Sequence, residues 1–498
     1  MNDQNARSPG RRSFFRRGGI LAGGVITGTT LSALGAHMAL AKDDDDRDEH
    51  GRDGGRRGRR SDYGDLQRTP DQNGDEILAL PKDFRYVTFS KTGDSFGNGL
   101  IVPSRHDGMG VFEGPGRTIR LIRNHEVSSL TAPLAVPAPA GRKYDARGTG
   151  GCTTLDFDPK SKRLVRQFVS IAGTINNCAG GWSYRNTGWF TCEENTSGIK
   201  QGFEQPHGYT FFVPASADSA VNAVPIKSMG RFSHEAAVSD SRGIVYQTED
   251  AGNNSGFYRY IPNQASNPLA GGVLQMLAVT GNPTASLING QIVGLRLPVH
   301  WVTIPVPDAA LESGGMTVFA QGRAAGGAAF NRLEGLFRGE DGKSMFFVST
   351  SGGTVKGPSG AGFGQLWHYI PGDDRYQQGD ELVLVFESSS GKVLESPDNI
   401  CVTPNGGLLF CEDDAVSGEG AADTDPLAPG ISSINRLIGL GPKGEAFPLA
   451  INVFSDSEFA GAGFSPDGEI LFVNIQGGDA AGEGMTIAIW GPWERGPL

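Results

Sequence analysis

The chain has 498 residues, 74 of them glycine, with a hydrophobic fraction of 38% and charged residues at only 20%; this is ample apolar material for a core and excludes wholesale disorder. A formal charge of −11 and a pI of about 5.3 leave a nucleic-acid partner without an electrostatic footprint. The glycines follow no G-X-Y period, which excludes collagen, and recur in Asn-Gly, Asp-Gly and Gly-Gly pairs that punctuate short strands with tight turns.

The first element is an address. Arg11-Arg12-Ser13-Phe14-Phe15-Arg16 precedes a weakly apolar run from Gly18 to Ala41 that ends Ala39-Leu40-Ala41. Paired arginines before Phe, a glycine-rich apolar stretch and a small-x-small exit predict a twin-arginine export signal over residues 1–41. Glycine, threonine and serine make the run a poor membrane anchor, and no cysteine stands at the exit to carry a lipid. The translocase of that route is then a partner during export, and the destination is the periplasm or the medium. Because the route carries folded proteins, a cofactor loaded before export is expected. Residues 1–41 hold five arginines and one aspartate, so the remaining chain is more acidic than the whole. Residues 42–75 alternate acidic and basic clusters, Asp43 to Asp46 and then Arg56, Arg57, Arg59 and Arg60, and read as a solvated linker.

Residues 76–498 form the body. No long 3.6-residue period occurs there, whereas short β-rich runs recur at 118–123, 243–247, 256–261, 344–349, 382–386, 408–411 and 470–474. Several share one layout, a turn of the Asp-x-x-Gly or Pro-Asp-Gly kind before an apolar strand with a polar or acidic end. Hairpins repeated at wide intervals predict an all-β fold, a β-propeller of about six blades by the usual blade length, with a pair of β-sandwiches as the other architecture.

The carboxylates fall at strand ends within uncharged surroundings. Glu126, Glu193-Glu194, Glu235, Glu249-Asp250, Glu334, Asp398, Glu412-Asp413-Asp414 and Glu458 would each deliver an acid to one central channel. Converging carboxylates cannot all stay ionised in a low-dielectric site unless cations neutralise them. Oxygen ligands suit calcium or magnesium, and a thiolate among them points to iron or zinc. Of the five cysteines, Cys178 lies in Asn177-Cys178-Ala179-Gly180-Gly181, where small neighbours let backbone approach an ion. It is the candidate thiolate ligand; a Cys178–Cys192 or Cys401–Cys411 disulfide is the alternative. His125 and His234 sit in acidic motifs and could orient carboxylates or ligate.

Taken together, Asn177-Cys178-Ala179-Gly180-Gly181, Thr191-Cys192-Glu193-Glu194, Arg231-Phe232-x-His234-Glu235-Ala236, Arg332-x-Glu334-Gly335, Ser396-Pro397-Asp398-Asn399 and Glu458-Phe459-Ala460-Gly461 resemble the PhoX-type alkaline phosphatase family, in order from about Leu80 to the C-terminus. The resemblance implies a six-bladed propeller with ferric and calcium ions (Fe3+, Ca2+) in its channel, hydrolysing phosphate monoesters as a secreted enzyme. By matching position Cys178, Glu193, Glu235 and Glu334 would be iron-side ligands, Asp398 a further ligand, Glu126, Glu194, Glu249 and Glu458 calcium-side ligands, and Arg332 the catalytic phosphate contact. If the segment is a strand, Arg332 and Glu334 share a face. The family places a lysine shortly before the cysteine, whereas residues 168–177 contain no basic residue. A monomer acting on a small phosphoester is expected. A calcium-dependent lactonase, a phosphodiesterase and a non-enzymatic calcium-binding propeller are the other readings. A serine-nucleophile hydrolase is set aside, since no nucleophile elbow with a triad order is visible.

Overall fold

The computed structural model describes residues 63–498 apart from 98, 139–140, 358–359, 373–378, 414–430, 432–434 and 443. The predicted export signal and the charged clusters of the linker lie outside the described residues. The linker's predicted end at residue 75 is corrected: Leu66–Pro70 is already a strand, paired antiparallel with Glu76–Pro81. Its apolar content is too low to mark it from sequence, because it lies at the edge of a sheet and buries little.

Every run predicted as β is a strand, and the strands assemble into antiparallel meanders. The first comprises His106–Glu113, Ile119–His125, Gly150–Asp158 and Arg163–Thr174, and the second Asn177–Trp182, Gly188–Glu193 and Thr210–Pro214. The third begins His234–Ser239, Val245–Glu249 and Phe257–Pro262, and the fourth is Leu333–Arg338, Met345–Ser349, Gln365–Ile370 and Glu381–Glu387. The fifth is Pro397–Val402, Leu408–Glu412, Arg436–Leu440 and Ala446–Asn452, extended outward by the hairpin of residues 66–81. The sixth is Phe459–Phe464, Leu471–Ile475 and Met485–Trp490. Arg85–Phe89, from the start of the body, supplies its outer strand.

The first strand of each meander touches the first strand of the next, and the sixth touches the first, so the six inner strands form a closed ring. This is a β-propeller. A separate apolar core fills each gap between neighbouring meanders. Successive residues of a strand point to opposite faces, so adjacent side chains enter different cores. Leu121 packs toward the sixth meander and Ile122 toward the second. Phe346 faces the fifth meander and Phe347 the third. Both faces are buried, which is why these strands read as continuous apolar runs rather than alternating ones. Each buried Phe or Leu contributes about 1.5–3 kcal/mol.

Among the described residues there is one α-helix, Val318–Ala324, whose N-terminus is capped by the Thr317 hydroxyl accepting from the Ala320 N–H. No helix among them is long and apolar enough to cross a membrane.

Candidate metal centre

One local geometry, repeated in every meander, builds the site. In each, the C=O of the residue before the inner strand accepts from the N–H of the residue after the second strand: Arg105 from Glu126 (2.9 Å), Asn176 from Glu194 (3.0 Å), Ser233 from Asp250 (3.2 Å), Arg332 from Thr350 (3.0 Å), Ser396 from Asp413 (3.0 Å) and Glu458 from Gln476 (3.2 Å). Just inside this bond every inner strand carries a β-bulge, which re-aims the side chain at that point. The second residue of each inner strand is therefore structurally equivalent: Asp107, Cys178, Glu235, Glu334, Asp398 and Ala460. Five of these six positions carry a metal-ligating side chain. In every meander but the fifth, where it is Asn399, the next residue is Gly or Ala, because the adjacent inner strand passes over it. A Cβ on Gly335 would lie 2.5 Å from the Asp398 carbonyl oxygen, and one on Gly461, whose φ is +65°, 2.7 Å from that of Asp107.

The side chains converge in three overlapping groups, each with one potential ligand atom per residue within 4.8 Å of the others: Asp107, Glu126 and Cys178; Cys178, Glu194 and Glu235; and Glu235, Glu334 and Asp398. Burial, then mutual repulsion, pushes the carboxyls of Asp107, Glu194, Glu235, Glu334 and Asp398 well above their ordinary range, and burial raises Glu126 to about 7. The Cys178 thiol is raised by burial and the surrounding acids. Both Glu235 carboxylate oxygens are buried with no hydrogen-bond partner. An unpartnered buried carboxylate is costly, and its lone pairs in the middle of a thiolate and carboxylate set are what a cation would use. The residues present therefore fit a metal cluster. Two amides brace the set: Asn176 donates to Glu126 (3.1 Å) and Glu194 (3.1 Å), and Gln476 to Glu126 (2.7 Å) and Asp107 (3.1 Å).

Of the residues picked from sequence, Cys178, Glu235, Glu334, Asp398, Glu126 and Glu194 are thus brought together. Glu458 lies outside the three groups; burial and then repulsion from Asp413, Asp398, Asp107 and Glu126 raise its carboxyl. Glu193 is corrected. It faces away, accepting from the N–H groups of Ile175 (3.0 Å), Gly208 (2.8 Å) and Tyr209 (3.2 Å) and contacting His207 Nδ1 at 2.6 Å. Glu249 is corrected likewise, since Tyr258 OH (2.5 Å) and Gly256 N–H (3.2 Å) occupy its carboxylate. Both end a second strand, and in extended chain the next residue, Glu194 or Asp250, points the opposite way. Asp107 was missed. Its signal was an acid followed directly by a small residue, His106-Asp107-Gly108, the same pattern as Cys178-Ala179, Glu235-Ala236 and Glu334-Gly335.

Neither candidate histidine orients an acid. His125 bonds Ser104 O and Thr153 Oγ1, and His234 bonds Gly230 O and stacks on Phe232. All five cysteines are buried and none forms a disulfide.

Arg332 stands at the channel rim, its side chain 33% exposed, with Nη2 3.0 Å from Glu334 Oε1 and Nε 3.2 Å from Asp250 Oδ2. The two residues do not share a strand face, because the strand starts at Leu333 and Arg332 has φ +35°. A left-handed turn, not strand alternation, brings the two side chains together.

The family model for alkaline phosphatase PhoX matches residues 61–167 and 159–479. No curated protein matches the chain. Among solved structures, Pseudomonas fluorescens PhoX in complex with vanadate, a transition state analogue, is similar at 17% identity and a TM-score of 0.60, covering 87% of this chain and 99% of that one. The Xanthomonas campestris gluconolactonase XC5397 is more distant, with 11% identity and a TM-score of 0.39 over 87% of this chain and 99% of that one. With its propeller, its acidic channel and a family match over most of its length, the chain belongs to the alkaline phosphatase PhoX family and is a phosphoester hydrolase.

Proposed function

We propose that this protein is an exported, six-bladed phosphate monoesterase that holds iron and calcium in its channel and binds the phosphoryl group through Arg332. The observation that carries the reading is the unbroken run of ligand atoms from Asp107 to Asp398, joined at Cys178 and at a Glu235 carboxylate without a protein partner. A thiolate supports a transition metal, and the surplus of carboxylates supports a hard cation such as calcium. When bound, such cations neutralise phosphoryl oxygens and act as Lewis acids.

The chain's own residues supply the rest. Arg332 presents a planar donor fork suited to two phosphoryl oxygens, and its pairing with Glu334 and Asp250 holds it in place before substrate arrives. Asn176 and Gln476 hold Glu126, Glu194 and Asp107 in position. The vanadate carried by the Pseudomonas fluorescens relative supports the expectation that vanadate inhibits this chain too. We also read residues 1–41 as the twin-arginine signal that delivers the loaded monomer to the periplasm or medium.

The test is elemental analysis of protein purified from its export route, together with hydrolysis of p-nitrophenyl phosphate. Iron with calcium and vanadate-sensitive hydrolysis are expected. Fully metal-loaded protein that does not cleave the ester overturns the monoesterase reading, and protein without iron overturns the metal assignment. Arg11→Lys with Arg12→Lys should abolish export; unchanged secretion overturns the twin-arginine reading.

A further inference from the structure

Residues 168–177 hold no basic side chain, and the anion site described so far rests on Arg332 within an acidic channel. The repeat of the meanders identifies a second cation. The residues preceding the six inner strands are Arg105, Asn176, Ser233, Arg332, Ser396 and Glu458, each tied into the same backbone hydrogen bond. Two of them are basic. Arg105 shares the left-handed backbone of Arg332, with φ +50° against +35°, and is similarly placed at the rim, 38% exposed against 33%. In each case one carboxylate steadies the guanidinium Nε: Asp479 at 3.0 Å for Arg105 and Asp250 at 3.2 Å for Arg332. The first and fourth meanders stand opposite each other in a ring of six. The Arg105 C=O accepts from the N–H of Glu126 at 2.9 Å, and Asp107 lies two residues on in the same strand entry, so the Arg105 backbone adjoins the channel groups.

We propose that Arg105 is a second substrate-contacting residue, which binds the phosphoester's anionic oxygens from the rim opposite Arg332. This rests on the phosphoesterase reading. Asp479 is 42% exposed, and an ion pair so open to water is worth little, so the guanidinium can leave it for a phosphoryl group. A guanidinium has no lone pair to offer a cation, so the contribution of Arg105 is to binding and not to metal ligation.

The experiment uses the exported, metal-loaded protein, with p-nitrophenyl phosphate as substrate and orthophosphate both as competitive inhibitor and as titrant in calorimetry. Removing a charge-assisted contact predicts that Arg105→Ala raises KM and the orthophosphate Ki about tenfold or more, with kcat and metal content unchanged. Arg105→Lys should recover most of the loss and Arg105→Gln little of it. Asp479→Asn, which frees the guanidinium, should leave KM and Ki equal or lower. Unchanged KM and Ki in Arg105→Ala overturn the proposal, as does an Asp479→Asn variant that matches Arg105→Ala, since the ion pair alone would then matter. Wild-type protein that binds orthophosphate but gives no hydrolysis overturns the phosphoesterase reading separately.

Discussion

Two sets of acids, neighbours in sequence, meet opposite fates. Glu193, Glu249 and Glu412 end the second strands of their meanders, and Glu194, Asp250 and Asp413 follow them directly. The first set is saturated by protein. Glu412 receives Arg436 Nε and Nη2, each at 2.6 Å, and the N–H of Glu395 at 2.9 Å. Glu193 accepts from three backbone N–H groups and contacts His207. The second set turns toward the channel, where Glu194 joins Cys178 and Glu235. Residue type does not separate a structural carboxylate from a ligand. The number of fixed donors around it does, because a satisfied carboxylate has no lone pairs left for a cation, and an unsatisfied one in a dry site requires neutralisation.

Breaking the channel side should give the largest effect. Glu235→Gln keeps the volume and removes the charge shared by two ligand groups; metal content should fall and kcat/KM on an aryl phosphate should drop about a thousandfold or more, about 4 kcal/mol. Mass spectrometry of the purified variant checks this, and full metal retention would remove Glu235 from the site. Breaking the structural side should show in stability. Glu412→Ala takes the carboxylate away from the buried Arg436 guanidinium and should cost about 3–5 kcal/mol in denaturant unfolding, whereas Glu194→Gln should shed metal with little loss of stability once metal is removed from both proteins. Equal unfolding losses in the two variants would erase the distinction.

Arg332→Ala sharpens the comparison at the rim. It should lower kcat/KM about 100-fold, about 2.7 kcal/mol, with the metals retained. Metal loss of the kind expected for Glu235→Gln would show that Arg332 supports the cluster and is not a phosphate contact.

The smallest effect concerns His207, held between Glu193 at 2.6 Å and Asp145 at 3.4 Å. Burial lowers its pKa, but the two carboxylates outweigh that and leave it raised. A raised folded-state value means that the folded protein binds the proton more tightly than the unfolded chain, so the stabilisation is complete below about 6.5 and is lost as pH rises through the folded value. His207→Gln should therefore cost about 1–2 kcal/mol in mildly acidic buffer and progressively less in alkaline buffer. Unfolding curves of both proteins across that range test it, and a gap that widens with pH would refute the charged-histidine assignment.

The amino-acid sequence by itself determined the strands, since residues buried on both faces leave apolar runs bounded by glycine turns. It also determined the family motifs, and five of the acids and the one thiolate that the structure brings together are legible once acids at strand ends are compared. Asp107 was legible too, through the small residue after it. What only the tertiary structure decided was which member of each acidic pair turns inward and how the ring closes. Closure joins Arg85–Phe89 to Met485–Trp490, a pairing that no local pattern announces because its partners lie at opposite ends of the body. The inward choice depends on where the second strand ends and where the bulge falls. One residue of shift exchanges the faces of a strand, so Glu193 and Glu194, equivalent by composition, become a backbone anchor and a member of the channel cluster through register alone.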